Sequence, residues 1–174
     1  MAAVLAGAEV IHSTVNGIGE RAGNTPMEET ALALLTLYGI DIGLNYNKFN
    51  ELSELVTNLT NTQIPSNKPF VGDKAYDIES GILTGWYRNA YQQKPTEVFP
   101  VRPEFVGHRT PEILMGKYSG LDNVIVWSEK LGITLDREQA LAVINQVKVQ
   151  SLELKRVLTE DEFRKIAESV LSLK

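Results

Sequence analysis

The stretch Val15-Asn16-Gly17-Ile18-Gly19-Glu20-Arg21-Ala22-Gly23-Asn24 limits what this chain can fold into more than any other. Three glycines within seven residues mark a loop in which backbone approaches backbone, or a ligand, more closely than side chains normally allow. The apolar run Val10 to Val15 precedes it and reads, from Glu9, as a strand. Thr25-Pro26-Met27-Glu28 follows with the form of a capping box, Thr25 accepting from the Glu28 amide and Pro26 in the first turn. Ala31 to Leu37 continues the helix, and Gly39 is placed to end it. The order is strand, glycine-rich loop, helix, with the amides at the helix start favouring negative charge.

Three readings of this loop compete. Gly17, Gly19 and Gly23 give G-x-G-x-x-x-G, a dinucleotide fingerprint with Asp41 available for a ribose, but the spacing is one residue too long and no repeated strand-helix units follow. Alternatively, Glu20, Arg21 and Asn24 sit together where a strand of an α/β barrel would end, the face from which barrel enzymes project their catalytic groups. The plainest reading is a tight turn with a surface ion pair.

N-G-I-G-E-R-A-G-N followed by a helix start with two glutamates closely resembles the last barrel strand and helix of the 2-isopropylmalate synthase/homocitrate synthase family. The resemblance spans the chain. Ile64-Pro65-Ser66-Asn67-Lys68-Pro69-Phe70-Val71-Gly72 is similar to the family's I-P-x-N-K-x-x-V-G segment, and Ser80-Gly81-Ile82 and Gly116-Lys117-Tyr118-Ser119-Gly120 match later landmarks in order and spacing. The fold it implies is an α/β fragment, the last strand and helix of a TIM barrel, followed by mainly α-helical subdomains. Residues 1–42 would end the barrel domain, 43–110 form a helical linker or first subdomain, and 111–174 a small α-rich second one. Met1 would then fall inside the seventh barrel helix. The family's paired metal-binding histidines and its metal-binding aspartate would lie outside the chain, which is expected to be a fragment and inactive alone.

The resemblance also implies a chemistry. Family members condense acetyl-CoA, the co-substrate, with a 2-oxo acid held by a divalent metal (Zn, Mn or Mg). The metal acts as a Lewis acid on the ketone. By resemblance Asn24 lies at the metal and Glu20 is a candidate for proton handling, with Arg21 holding that carboxylate. Gly17, Gly19 and Gly23 shape the backbone around the cofactor. Synthases of the family commonly follow Ser-Gly-Ile with a proton-transferring histidine, where this chain has Leu83. An aliphatic side chain moves no proton, so Tyr76, Tyr87 and His108 become the candidates to replace it. A homodimer is expected of the whole protein. A related metal-dependent lyase, or a non-catalytic dimerisation module, are the alternatives.

Composition narrows the partners. A net charge of −5 gives no basic field for nucleic acid or an anionic membrane, and no apolar run approaches the roughly 20 residues of a membrane span. There is no cysteine, which excludes thiolate metal sites and a cysteine nucleophile. The opening lacks a basic leader, and a cytoplasmic location is the default expectation.

Periodicity fills in the remainder. Phe49, Leu52, Leu55, Val56 and Leu59 predict a helix from about Asn47 to Asn61. Gly81 to Tyr91 predicts another, with Ile82, Leu83, Trp86, Tyr87 and Ala90 as a core-facing stripe. Four prolines between Lys94 and Pro111 make that span extended and loop-like, and His108 within it is also readable as a loop residue with a local hydrogen bond. His12, alternating with apolar neighbours, is expected to pack within the barrel or its helix layer. Leu121 to Leu131 ends at Gly132, Asp136 and Gln139 cap the next helix, and Thr159 with Glu162 caps the last. The mixed charges from Lys148 to Arg156 suggest a solvated face or a break.

Overall fold

The computed structural model describes residues 1–172 and is mainly α-helical. The chain forms two compact units, one from residues 1–76 and 101–110, the other from residues 77–100 and from 111 onward. No helix among the described residues is long and apolar enough to cross a membrane.

The first unit holds helices α1 (Ala2–Leu5), α2 (Met27–Tyr38) and α3 (Phe49–Thr60). Helix α2 ends as its sequence predicts. Gly39 adopts φ 66°, and its amide and that of Ile40 close on the Leu35 and Leu34 carbonyls. Asn61 ends α3 in the same left-handed conformation. The core gathers Leu32, Leu34, Phe49, Val71, Tyr76 and Val106, with Tyr46 stacked on Phe105.

Two expectations fail here. Residues 9–15 form no ladder; their sheet-like contact is an isolated parallel bridge between Thr14 and Pro26. A strand is stable only when a neighbour satisfies its backbone groups, and among the described residues none lies alongside. His12, Val10 and Ile11 are therefore exposed rather than packed. The capping box also fails: α2 starts at Met27 with Pro26 as its N-cap, so Thr25 lies one residue outside the capping position, and the Glu28 carboxylate bonds Asn16.

The second unit contains α4 (Gly81–Ala90), α5 (Leu121–Leu131), α6 (Arg137–Leu154) and α7 (Glu160–Ser172). Helices α5, α6 and α7 enclose Met115, Val124, Trp127, Val143, Val147 and Phe163, with Trp127 edge-on to Phe163 at 5.4 Å. Both predicted caps form. Asp136 and Gln139 exchange hydrogen bonds of 2.8 Å, and Thr159 and Glu162 do so at 2.8 and 3.3 Å. Gly132 ends α5 at φ 68°.

Of the two readings of Lys148 to Arg156 the solvated face holds: helix α6 runs through to Leu154 and stops at Lys155, residues 152–156 are exposed, and Ser151 is the residue of that stretch that turns inward. A further expectation is corrected in this unit. On α4 the stripe is not core: Ile82, Leu83 and Trp86 are exposed, and the face that packs on α5 carries the buried Thr84 instead. The Ser80-Gly81 and Gly116–Gly120 landmarks meet, Gly81 so close to Gly120 that a Cβ on Gly81 would strike the Gly120 backbone. Asn123 secures the junction, donating to the Glu79 and Leu114 carbonyls at 3.0 Å and accepting from the Gly120 amide at 2.9 Å.

Candidate active site

The glycine-rich loop closes on itself between Gly17 and Asn24. Asn24 N–H donates to the Gly17 carbonyl at 2.9 Å, and Gly23 N–H to the Glu20 carbonyl at 2.9 Å. Thr14 anchors the base, its amide bonded to the Thr25 carbonyl and its carbonyl accepting from Met27 N–H. Gly23 is required twice over. Its φ is +84°, and a Cβ there would strike the Gly17 carbonyl oxygen. At Gly19 a Cβ would collide with the Asn24 side-chain amide.

The tip of this loop carries the expected polar set. Glu20 and Arg21 are exposed and paired with each other at 3.2 Å, Arg21 having φ 56°. Asn24 is exposed and donates its side-chain N–H to the Ile18 carbonyl at 3.1 Å. That bond fixes the amide plane, and Oδ1 accepts no hydrogen bond among the described residues. The arrangement presents one carboxylate, one guanidinium and one neutral amide oxygen on a short, pinned segment. Such a set can order a polar substrate, hold or pass a proton at a carboxylate, and offer a single oxygen to a hard cation. It does not complete a metal site by itself. Among the described residues no group of three or more histidines or carboxylates could hold an ion.

Beneath the loop lies a buried polar cluster that sequence reading missed. Asn16 has φ 61°, and its backbone N–H faces both oxygens of Glu28 at 2.9 and 3.2 Å. Its side chain donates to the Ser53 carbonyl and to Thr57 Oγ1 and accepts from Ser53 Oγ. Glu28 is fully buried, and burial pushes its carboxyl above the ordinary range while the Asn16 amide pulls it back. One signal was available: helical spacing puts Glu28 on the same face as Ala31 and Leu32, a core register in which a carboxylate needs a partner.

The other candidates lie apart from the loop in sequence. Tyr76 and His108 come together in the first unit, rings 5.0 Å apart and both buried. The His108 ring nitrogens face the Gly72 carbonyl at 2.9 Å and the Arg109 carbonyl at 3.2 Å. His108 also borders a polar cleft of about 660 Å³ with Asp73, Arg109, Glu54 and Gln63. Tyr87 belongs to the second unit, stacked on Tyr91 at 4.6 Å. Leu83, in that unit, is exposed on α4.

Fold and loop together define a largely helical chain with a glycine-pinned carboxylate-amide loop ahead of its first long helix. Residues 1–56 match the model of the HMGL-like family. A Methanopyrus kandleri protein provisionally named (R)-citramalate synthase is 40% identical over 171 residues, 98% of this chain and 32% of that protein. Homocitrate synthase of Methanothermobacter thermautotrophicus is 38% identical over 170 residues, 98% of this chain and 42% of its own. A further Methanopyrus kandleri protein, provisionally named 2-isopropylmalate synthase, is 42% identical over 148 residues, 85% of this chain and 29% of that protein. Over nearly its whole length the chain is similar to members of the 2-isopropylmalate synthase/homocitrate synthase family. It spans about a third to two fifths of the length of these curated relatives.

Proposed function

We propose that this chain is part of an acyltransferase that condenses acetyl-CoA with a 2-oxo acid, and that its loop from Gly17 to Asn24 belongs to the catalytic site. The observation that carries the reading is the closure of that loop, which leaves Glu20, Arg21 and the Asn24 amide oxygen outward on a segment rigid at both ends. It agrees with relatives whose names are citramalate, homocitrate and isopropylmalate synthase.

In this reading residues 1–42 complete a TIM-barrel domain, 43–110 form a first subdomain and 111–174 a second, and the whole protein is a homodimer. A divalent metal (Zn, Mn or Mg) supplies Lewis-acid polarisation of the substrate ketone when bound. Asn24 contributes one neutral oxygen beside it, the remaining ligands coming from outside this chain. Glu20 handles a proton or orients the group that does, and Arg21 orients its carboxylate through a charge-assisted hydrogen bond. Gly17, Gly19 and Gly23 let the loop close tightly on itself and so shape the backbone beside which acetyl-CoA binds. Leu83 moves no proton, so Tyr76, Tyr87 or His108 serves in its place, or the enzyme accepts a different 2-oxo acid from its leucine- and lysine-pathway relatives.

The test is thiol release from acetyl-CoA by the protein that carries this chain, offered pyruvate, 2-oxoisovalerate, 2-oxoglutarate and oxaloacetate in turn. The proposal expects turnover with at least one. Turnover with none, at full metal loading, would contradict it.

A further inference from the structure

Glu28 brings a carboxylate to zero exposure on a helix face shared with Ala31 and Leu32. An aliphatic side chain would fill that position at lower desolvation cost. What the carboxylate does there is grip the Asn16 backbone N–H from both its oxygens, with its own backbone N–H as a further donor. Asn16 sits in the left-handed region that non-glycine residues seldom occupy, and every polar group of its side chain is engaged by α3 through Ser53 and Thr57. The next residue is Gly17, whose carbonyl receives the Asn24 amide. A rotation at Asn16 therefore swings the Gly17 carbonyl and releases the far end of the loop.

We infer that Asn16 and Glu28 are positioning residues for the segment from Gly17 to Asn24. Glu28 fixes the backbone of Asn16, α3 fixes its side chain, and the two together aim the Gly17 carbonyl that holds Asn24. The geometric link stands by itself, and its catalytic consequence rests on the reading of this loop as an active site.

The experiment is amide hydrogen exchange, followed by NMR on this chain, for three variants. Glu28→Met keeps the length and removes the acceptor. Glu28→Gln retains one acceptor oxygen at the same reach. Asn16→Gly keeps the left-handed backbone and removes the bonds to α3. Glu28→Met and Asn16→Gly should speed exchange at the Gly17 and Asn24 amides by about tenfold or more, with less than about threefold change at Leu32 and Leu34 of α2. Glu28→Gln should stay within about threefold of wild type throughout. An equal rise across α2 and α3, or an unchanged Asn24 amide in Glu28→Met and Asn16→Gly, overturns the inference. Should Glu28→Met not fold, Asn16→Gly decides by the same criterion. In the active protein that carries this chain, Asn16→Gly should lower kcat by a factor not compounded by adding Asn24→Ala, and full compounding argues against positioning through Asn24. If Asn24→Ala leaves turnover untouched, the active-site reading fails, while the exchange result still decides the positioning claim.

Discussion

Lys68 reaches Glu29 across 39 residues of sequence, its Nζ 2.9 Å from Oε1, and so ties the Ile64–Gly72 motif to the first turn of α2. Lys68 is the more buried partner, so this pair is screened less than a surface bridge. The carboxylate also lies where the positive end of the α2 dipole favours it. Lys68→Met should destabilise the chain by about 1 kcal/mol, read as a lower urea midpoint at unchanged slope. A midpoint equal to wild type would reduce the pair to a surface contact.

Arg156 grips Glu162 with two hydrogen bonds, 2.6 and 2.9 Å, and the Thr159 amide adds a third at 2.8 Å. The Arg156 guanidinium first, and the Thr159 N–H second, bring the Glu162 carboxyl from 4.5 down to about 2. A carboxyl lowered on folding contributes stability above its unfolded pKa and loses it as pH falls through the folded value. Wild type should therefore exceed Glu162→Gln in melting temperature at about pH 6, and that gap should close between about pH 4.5 and 2. A gap independent of pH would mean that the ionised carboxylate does not carry the effect.

Asn123 replaced by Ala should be the most damaging single change among the polar residues of the second unit. It strands the Gly120 amide and removes a donor from the Glu79 and Leu114 carbonyls, all at a fully buried position. A loss of about 2–3 kcal/mol is expected, measured by urea unfolding. A loss below about 0.5 kcal/mol, the ordinary surface range, would show that water replaces these bonds freely.

These three contacts show what sequence can and cannot disclose. The ends of α2, α5, α6 and α7 are legible because caps are local: Gly39, Gly132, Asp136 and Thr159 act within three or four residues. The strand expected at 9–15 is not formed because the partner of a parallel strand is never local, and among the described residues none lies beside it. The α4 stripe misleads because periodicity records an apolar face and not what covers it. In the loop, Gly19 and Gly23 announce close backbone approach, which the structure explains by the Asn24 side chain and the Gly17 carbonyl. For Glu28 the sequence shows only its core register; its partner Asn16 is not legible, because the bonds of Asn16 span 12 residues to Glu28 and 37 to Ser53 of α3.

Calorimetry on this chain alone should find only weak binding of zinc or manganese. Asn24 offers one neutral oxygen, and no group of three histidines or carboxylates converges among the described residues. Tight, stoichiometric binding would require a ligand set outside the loop and would displace Asn24 from its proposed role.

The kinetics of Asn24→Ala, in the protein that carries this chain, test the central claim most directly. Asn24 lies on the exposed rim of the loop, and among the described residues its side chain bonds only the Ile18 carbonyl, so its loss should leave the melting temperature nearly unchanged. The proposal predicts a fall of about ten- to hundredfold in kcat or in metal affinity, with acetyl-CoA and the preferred 2-oxo acid as substrates. Wild-type kinetics at normal metal content would contradict it and take this loop out of the active site.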